Sequence, residues 1–175
     1  MSRYLVVANQ TLGGSSLDAE VRERLRSPGS SFYVVTPITK VRHEAATWTR
    51  GFALDEHALA PNVSAATWEA ISRQHATEHE EADRRARHRL ERMLEKIRAA
   101  GGVADGEVGV DDDPVEATRV VVDRQAAFDE IIVSTLPAGI SRWVRMDVPS
   151  RIRRVCEIPV TTIEAEAEGE ADRPA

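Results

Sequence analysis

The sequence predicts an α/β domain, a five-stranded parallel sheet with helices on both faces. Three observations lead there. Five short runs of branched apolar residues alternate strictly with four helical patterns, the order expected of successive β–α–β units. The strongest runs, Leu5–Ala8, Phe32–Val35 and Ile131–Val133, are continuous rather than alternating, as strands covered on both faces must be. A chain of 175 residues with 42% hydrophobic content is long enough to bury one substantial core without metal or disulfide staples.

Tyr4–Asn9 opens the sheet and ends in a polar turn over Gln10–Gly14. Leu17, Val21 and Leu25 recur every fourth residue on one helix face, which Ser27-Pro28-Gly29 stops. Phe32–Pro37 is the second strand. The pattern then fades, with Trp48, Phe52 and Leu54 scattered among polar residues, and 38–66 reads as an insertion or lid-like excursion. Ser64–Ala100 is one long helix that ends at the Gly101-Gly102 C-cap signal. Leu90, Met93, Leu94 and Ile97 put an apolar stripe on its C-terminal half, whereas His75–His88 is almost wholly polar and should be solvated or lie against something polar.

Val103–Val110 is a weaker strand interrupted by two glycines. Asp113-Pro114 predicts an N-cap followed by proline at the first helical position, opening a helix lined by Val115, Thr118, Val122 and Ala126. Phe128–Ser134 is the fourth strand. After a loop at Thr135–Gly139, Val144, Val148, Ile152 and Val155 mark the last helix, and Pro159–Ile163 completes the sheet. One domain over 1–164 results. The acidic tail 165–175 has no apolar residue larger than alanine and reads as disordered.

Composition excludes several classes. With 29 acidic against 23 basic residues, net −6, no global positive field is available to hold nucleic acid. No apolar run approaches the ~20 residues of a membrane span. The single Cys156 cannot form an internal disulfide, which suits a reducing compartment and a cytoplasmic location.

Asp129-Glu130-Ile131-Ile132-Val133-Ser134, a following turn and basic helix, and then Cys156-Glu157-Ile158-Pro159-Val160 resemble the end of the universal stress protein family. Leu5–Asn9 is similar to that family's first strand, with Asn9 where the family carries an acid, and Gly109–Pro114 with Glu116-Ala117 is similar to its entry to the third helix. The likeness spans about 3–37 and 85–164 and is strongest to a divergent, actinobacterial-type branch. It implies the adenine nucleotide alpha hydrolase-like fold and a homodimer through the last strand. An edge-strand argument points the same way, since Val160–Ile163 would end the sheet with unpaired backbone groups that a second copy can satisfy.

ATP-binding relatives carry G-x-x-G, nine residues, then G-[ST] after the fourth strand. Here those positions fall on Ser134, Pro137, Asp147 and Val148, and all four depart. Bare backbone N–H groups at a helix N-terminus are what hold a phosphate. Pro137 withholds one, and Asp147 is placed to N-cap the last helix with its own carboxylate, filling the cradle. The expectation is that triphosphate binding is weak or lost, and the cofactor is left unassigned.

The candidate ligand-binding residues are Asn9, Thr36, Ser134, Thr135, Ser141, Arg142 and Asp147, with Arg145 nearby. They collect where open α/β sheets take ligands, at the carboxyl ends of the strands. The alternative is that Ser141 caps a helix, the arginines pair with surface acids, and Asn9 stabilises its turn. His75-Ala76-Thr77-Glu78-His79 spells an inverted zinc-protease string, but a Glu/His/Arg-rich helix generates it readily, so no metal site is assigned. Trp143 and the aromatics Trp48, Phe52 and Trp68 are read as packing groups, the last three alternatively as a lid. Cys156 reads as a small buried hydrophobe.

No catalytic set assembles, since all five histidines lie in the insertion or the long helix. The first functional reading is therefore a non-enzymatic binding or sensor module. The second is a small-molecule or nucleotide-processing enzyme with 38–66 as lid, and a third is a subunit that docks a partner through the charged helix.

Overall fold

The computed structural model describes residues 2–8, 10–37, 65–109, 113–125, 127–137 and 147–165, and of 65–72, 74, 75 and 78 the backbone alone. Strands β1 (Arg3–Val7), β2 (Ser31–Pro37), β3 (Val103–Gly109), β4 (Glu130–Thr135) and β5 (Val160–Glu164) form one sheet in the order β3-β2-β1-β4-β5. Every neighbouring pair is parallel. Helices α1 (Ser15–Leu25), α2 (Ala65–Ala99), α3 (Pro114–Arg124) and α4 (Val148–Cys156) separate the strands in the chain.

Register decides which side chains meet. Leu5 lies beside Tyr33 on one flank and Ile131 on the other. Because strand side chains alternate, even-numbered residues of β1, β2 and β4 line one face and odd-numbered ones the other. Tyr4, Val6, Phe32, Val34 and Ile132 pack under α1 and α2 with Leu17, Val21, Leu90, Met93 and Ile97. Leu5, Val7, Tyr33, Val35, Ile131 and Val133 pack under α3 and α4 with Val115, Val121, Val148 and Ile152. Leu5, Val6, Val7, Ile131, Ile132 and Val133 are wholly buried, each contributing about 1.5–3 kcal/mol relative to exposure. This explains why the central runs carry no polar residue.

Backbone chemistry sets the boundaries. Asp113 caps α3 as its sequence predicts, Oδ1 accepting from Val115 N at 2.9 Å ahead of Pro114. Gly106 lets β3 lie tightly against β2, since a Cβ there would fall 2.4 Å from the Val34 carbonyl oxygen. At the edge of the same strand pair, Tyr33 OH donates to Glu107 at 2.6 Å and Arg124 of α3 pairs with the same carboxylate. Burial first, then that hydrogen bond, pushes the Tyr33 phenol up to about 12.

Several expectations need correction. Val144 lies outside the described residues, and the last helix is Val148–Cys156. Its buried stripe steps 148–152–156, with Cys156 partly covered, and so leaves Val155 46% exposed. On α3 Thr118 is fully buried as expected, but the next fully buried position is Val121, with Val122 only partly covered. Ala165, read as the start of the tail, is buried, and its N–H donates to the Thr135 carbonyl at 2.7 Å. Of the insertion read at 38–66, residues 65 and 66 begin α2, while 38–64, with Trp48 and Phe52, lie outside the described residues, as does the tail from 166.

Candidate functional site

From β1 the chain winds outward through β2 to β3, then returns to add β4 and β5 on the other side of β1. The reversal falls between β1 and β4, and ligands of open α/β sheets bind in the crevice at the carboxyl ends flanking that point. The residues there follow from register. Val35 pairs with Val7, and Val7 with Val133. One residue on, Thr36, Ala8 and Ser134 form a single cross-strand row on the face covered by α1 and α2. Val108 and Ile163 continue the row at either end.

Thr36 and Ser134 thus face one way from strands two apart, about 9–10 Å at ordinary strand spacing, with the small Ala8 between them. Both are buried, 0% and 1% exposed. Neither Thr36 Oγ1 nor Ser134 Oγ has a hydrogen-bond partner among the described residues, and the same holds for Thr135 Oγ1. Leaving a buried hydroxyl unpaired costs about 1–3 kcal/mol, so three of them at one sheet edge is a concentrated expense. Alternation puts Thr135 on the opposite face, towards α3 and α4. The sequence set is therefore divided, Thr36 and Ser134 together and Thr135 behind the sheet.

The loop after β1 is held over this row. Thr11, itself buried, donates from Oγ1 to the Ser134 carbonyl at 3.1 Å. Gly14 N donates to the Thr11 carbonyl at 3.1 Å, closing the turn, and Gly13 adopts φ 88°, a conformation that favours glycine. From α2, Lys96 Nζ donates to the Gly13 carbonyl at 3.2 Å and to Asp18 at 2.7 Å. Thr11 is not among the candidates that the sequence singled out. Its only signal was a polar side chain between the strand and the glycine pair, which turn chemistry explains equally well.

Asp147 departs from expectation. It holds the N-cap position of α4, but with φ 52° and ψ 39°, exposed, and its carboxylate accepts no capping hydrogen bond. Side-chain capping needs an extended backbone at the cap and an N–H at the second or third helical residue. Here the backbone is left-handed and the second residue is Pro149, which has no N–H. The carboxylate expected to cap α4 therefore does not cap it. Asn9, Ser141, Arg142, Trp143 and Arg145 lie outside the described residues.

Elsewhere, His79 is exposed on α2, and the side chains of His75 and Glu78 lie outside the description. Cys156 is half-buried, and burial, then Asp123, pushes its thiol up, with Arg119 opposing. No helix among the described residues is long and apolar enough to cross a membrane.

No family model and no curated protein matches the chain. Among solved structures it is similar to a universal stress protein from Archaeoglobus fulgidus at 14% identity and TM-score 0.50, covering 94% of each chain. It is also similar to a universal stress protein determined in complex with cAMP, at 16% identity and TM-score 0.46, covering 94% of this chain and 99% of that one. A third similar structure is the hypothetical protein MJ0577, at 10% identity and TM-score 0.49, covering 95% and 97%. The chain has the α/β, adenine nucleotide alpha hydrolase-like fold of the universal stress proteins.

Proposed function

We propose that the chain is a divergent member of the universal stress protein family, a cytoplasmic, non-enzymatic binding or sensor module that takes a small polar ligand at the β1–β4 switch point. The observation that carries this reading is the pair of buried, unpartnered hydroxyls Thr36 Oγ1 and Ser134 Oγ on either side of Ala8. A ligand that offers a donor or acceptor to each relieves a cost the free fold bears.

ATP in the triphosphate mode remains disfavoured, on altered grounds. Pro137 and Pro149 each withhold a backbone N–H, and the Asp147 carboxylate stands exposed at the N-terminus of α4, where a phosphate would meet a like charge.

Homodimerisation through β5 belongs to the same reading. Ile131 N bonds to the Pro159 carbonyl and Ala165 N to the Thr135 carbonyl, so the odd-numbered residues of β5 pair with β4. Parallel-ladder alternation then turns the backbone groups of Thr162 and Glu164 outward. The opposite edge is better closed, with Arg98 donating twice to the Ala104 carbonyl and the Asp105 carboxylate accepting from Gly106 N. Native mass spectrometry of freshly purified protein tests both halves. A dimer mass carrying a small-molecule adduct supports the reading; a bare monomer contradicts it.

A further inference from the structure

Helix α2 is much longer than the sheet it serves. Its 35 residues run about 52 Å, whereas the longest strands, of seven residues, span about 23 Å. Among the side chains described, its buried residues, Ala86, Leu90, Met93, Leu94 and Ile97, all lie from position 86 onward. Ahead of them, Arg73, Ala76, Thr77, Glu80, Glu81, Arg84 and Arg85 are exposed. A helix segment polar all round is stabilised by local pairs, bridges to something else, or does not persist. Local pairs such as Glu81–Arg85 at 3.9 Å and Asp83–Arg87 at 2.8 Å lie at the helix surface, each worth about 0.3–0.5 kcal/mol.

Charge along this helix is segregated. Residues 69–83 contain five acids and one arginine, and 84–98 contain seven bases and two acids. The basic half turns Arg84, Arg85, Arg87, His88 and Arg92 outward, away from the stripe that packs on the sheet. The division suits the helix dipole, and it also makes the helix complementary to a reversed copy of itself.

We infer that α2 pairs antiparallel with α2 of a second copy, about a two-fold axis near residues 83 and 84, with the acidic segment of each helix against the basic outer face of the other. The contact is isologous, so it closes on itself, and it is separate from the β5 edge. A polyanion such as RNA fits less well, because the acidic segment continues the same helix and repels it. With no apolar seam among the described residues, the pairing is governed by salt.

Sedimentation velocity tests this on the full chain. Assembly mass at about 50 mM salt should be twice that at about 500 mM, where the screening length falls to about 4 Å. Glu80→Lys/Glu81→Lys and Arg84→Glu/Arg85→Glu, each with helicity unchanged by circular dichroism, should separately hold the high-salt mass at low salt. An equimolar mixture of the two should regain the doubled mass. A mass that ignores salt, or a mixture that stays at the lower mass, overturns the pairing. So does wild-type protein that shifts a labelled single-stranded RNA at low salt while its own mass stays constant.

Discussion

Arg24 and Glu130, 106 residues apart, form a two-pronged ion pair that ties α1 to β4, with Nε to Oε2 at 3.2 Å and Nη2 to Oε1 at 2.9 Å. Thr161 of β5 donates to the same carboxylate at 2.5 Å, and Arg24 also pairs with Glu20 and lies 5.8 Å from the centre of the Tyr4 ring. Burial pushes the Glu130 carboxyl up, but the hydrogen bonds from Arg24 and Thr161 and the charge of Arg24 together outweigh it and hold the group below its ordinary 4.5. A carboxyl depressed by folding stabilises the protein above its unfolded value, and that stability disappears as the pH falls through the folded value. Glu130→Gln should cost about 1.5–3 kcal/mol at neutral pH, and the deficit should vanish well below pH 4.5. Urea unfolding of both proteins across that range checks it; a deficit independent of pH would assign the loss to packing instead.

Gly106→Ala tests the close approach of β3 to β2. Its Cβ would fall 2.4 Å from the Val34 carbonyl oxygen and 3.0 Å from Leu90 Cδ1, so the edge strand must move. The expected loss is about 1–3 kcal/mol, measured by denaturant unfolding, with the amides of β3 losing hydrogen-exchange protection before those of β1.

Calorimetric titration with Mg-ATP should give a Kd of about a millimolar or weaker. Asp147→Gly removes the carboxylate from the α4 N-terminus and suits the positive φ there. It should tighten that binding by about two- to fivefold. Low-micromolar binding by the wild-type chain would refute the reading of the degraded loop.

The Cys156 thiol, raised by burial and by Asp123 against the opposing Arg119, should react with iodoacetamide at neutral pH several-fold more slowly than an unstructured cysteine peptide. Cys156→Ser should lower stability only modestly, since the side chain is half-buried and meets the core at its edge. Alkylation as fast as the peptide's would show that burial does not suppress the thiolate.

The fold was legible because burial on both faces of a parallel sheet leaves an unmistakable trace. Leu5–Ala8 and Ile131–Val133 carry no polar residue, and each proved a central strand. Asp113-Pro114 likewise announced its cap, because that motif is complete within three residues. Thr36 and Ser134 were candidates from their place at strand ends. That they share a row, while Thr135 faces away, depends on the register of three strands far apart in sequence. The cap expected of Asp147 failed because the residue type was right and the backbone was not. A left-handed φ at that position is written in the packing of the α4 entrance rather than in Asp-Val-Pro itself.

Thermal unfolding with and without a sub-kilodalton metabolite extract tests the proposed ligand site at Thr36 and Ser134 most directly. Without extract, Thr36→Val/Ser134→Ala should be more stable than wild type by about 1–2 kcal/mol, since two unpaired buried hydroxyls are gone. With extract, the wild-type midpoint should rise by several degrees, as ligand binding to the folded state requires, and that of the double variant should stay where it was. Equal shifts in both proteins, or none in either, would contradict a ligand site at Thr36 and Ser134.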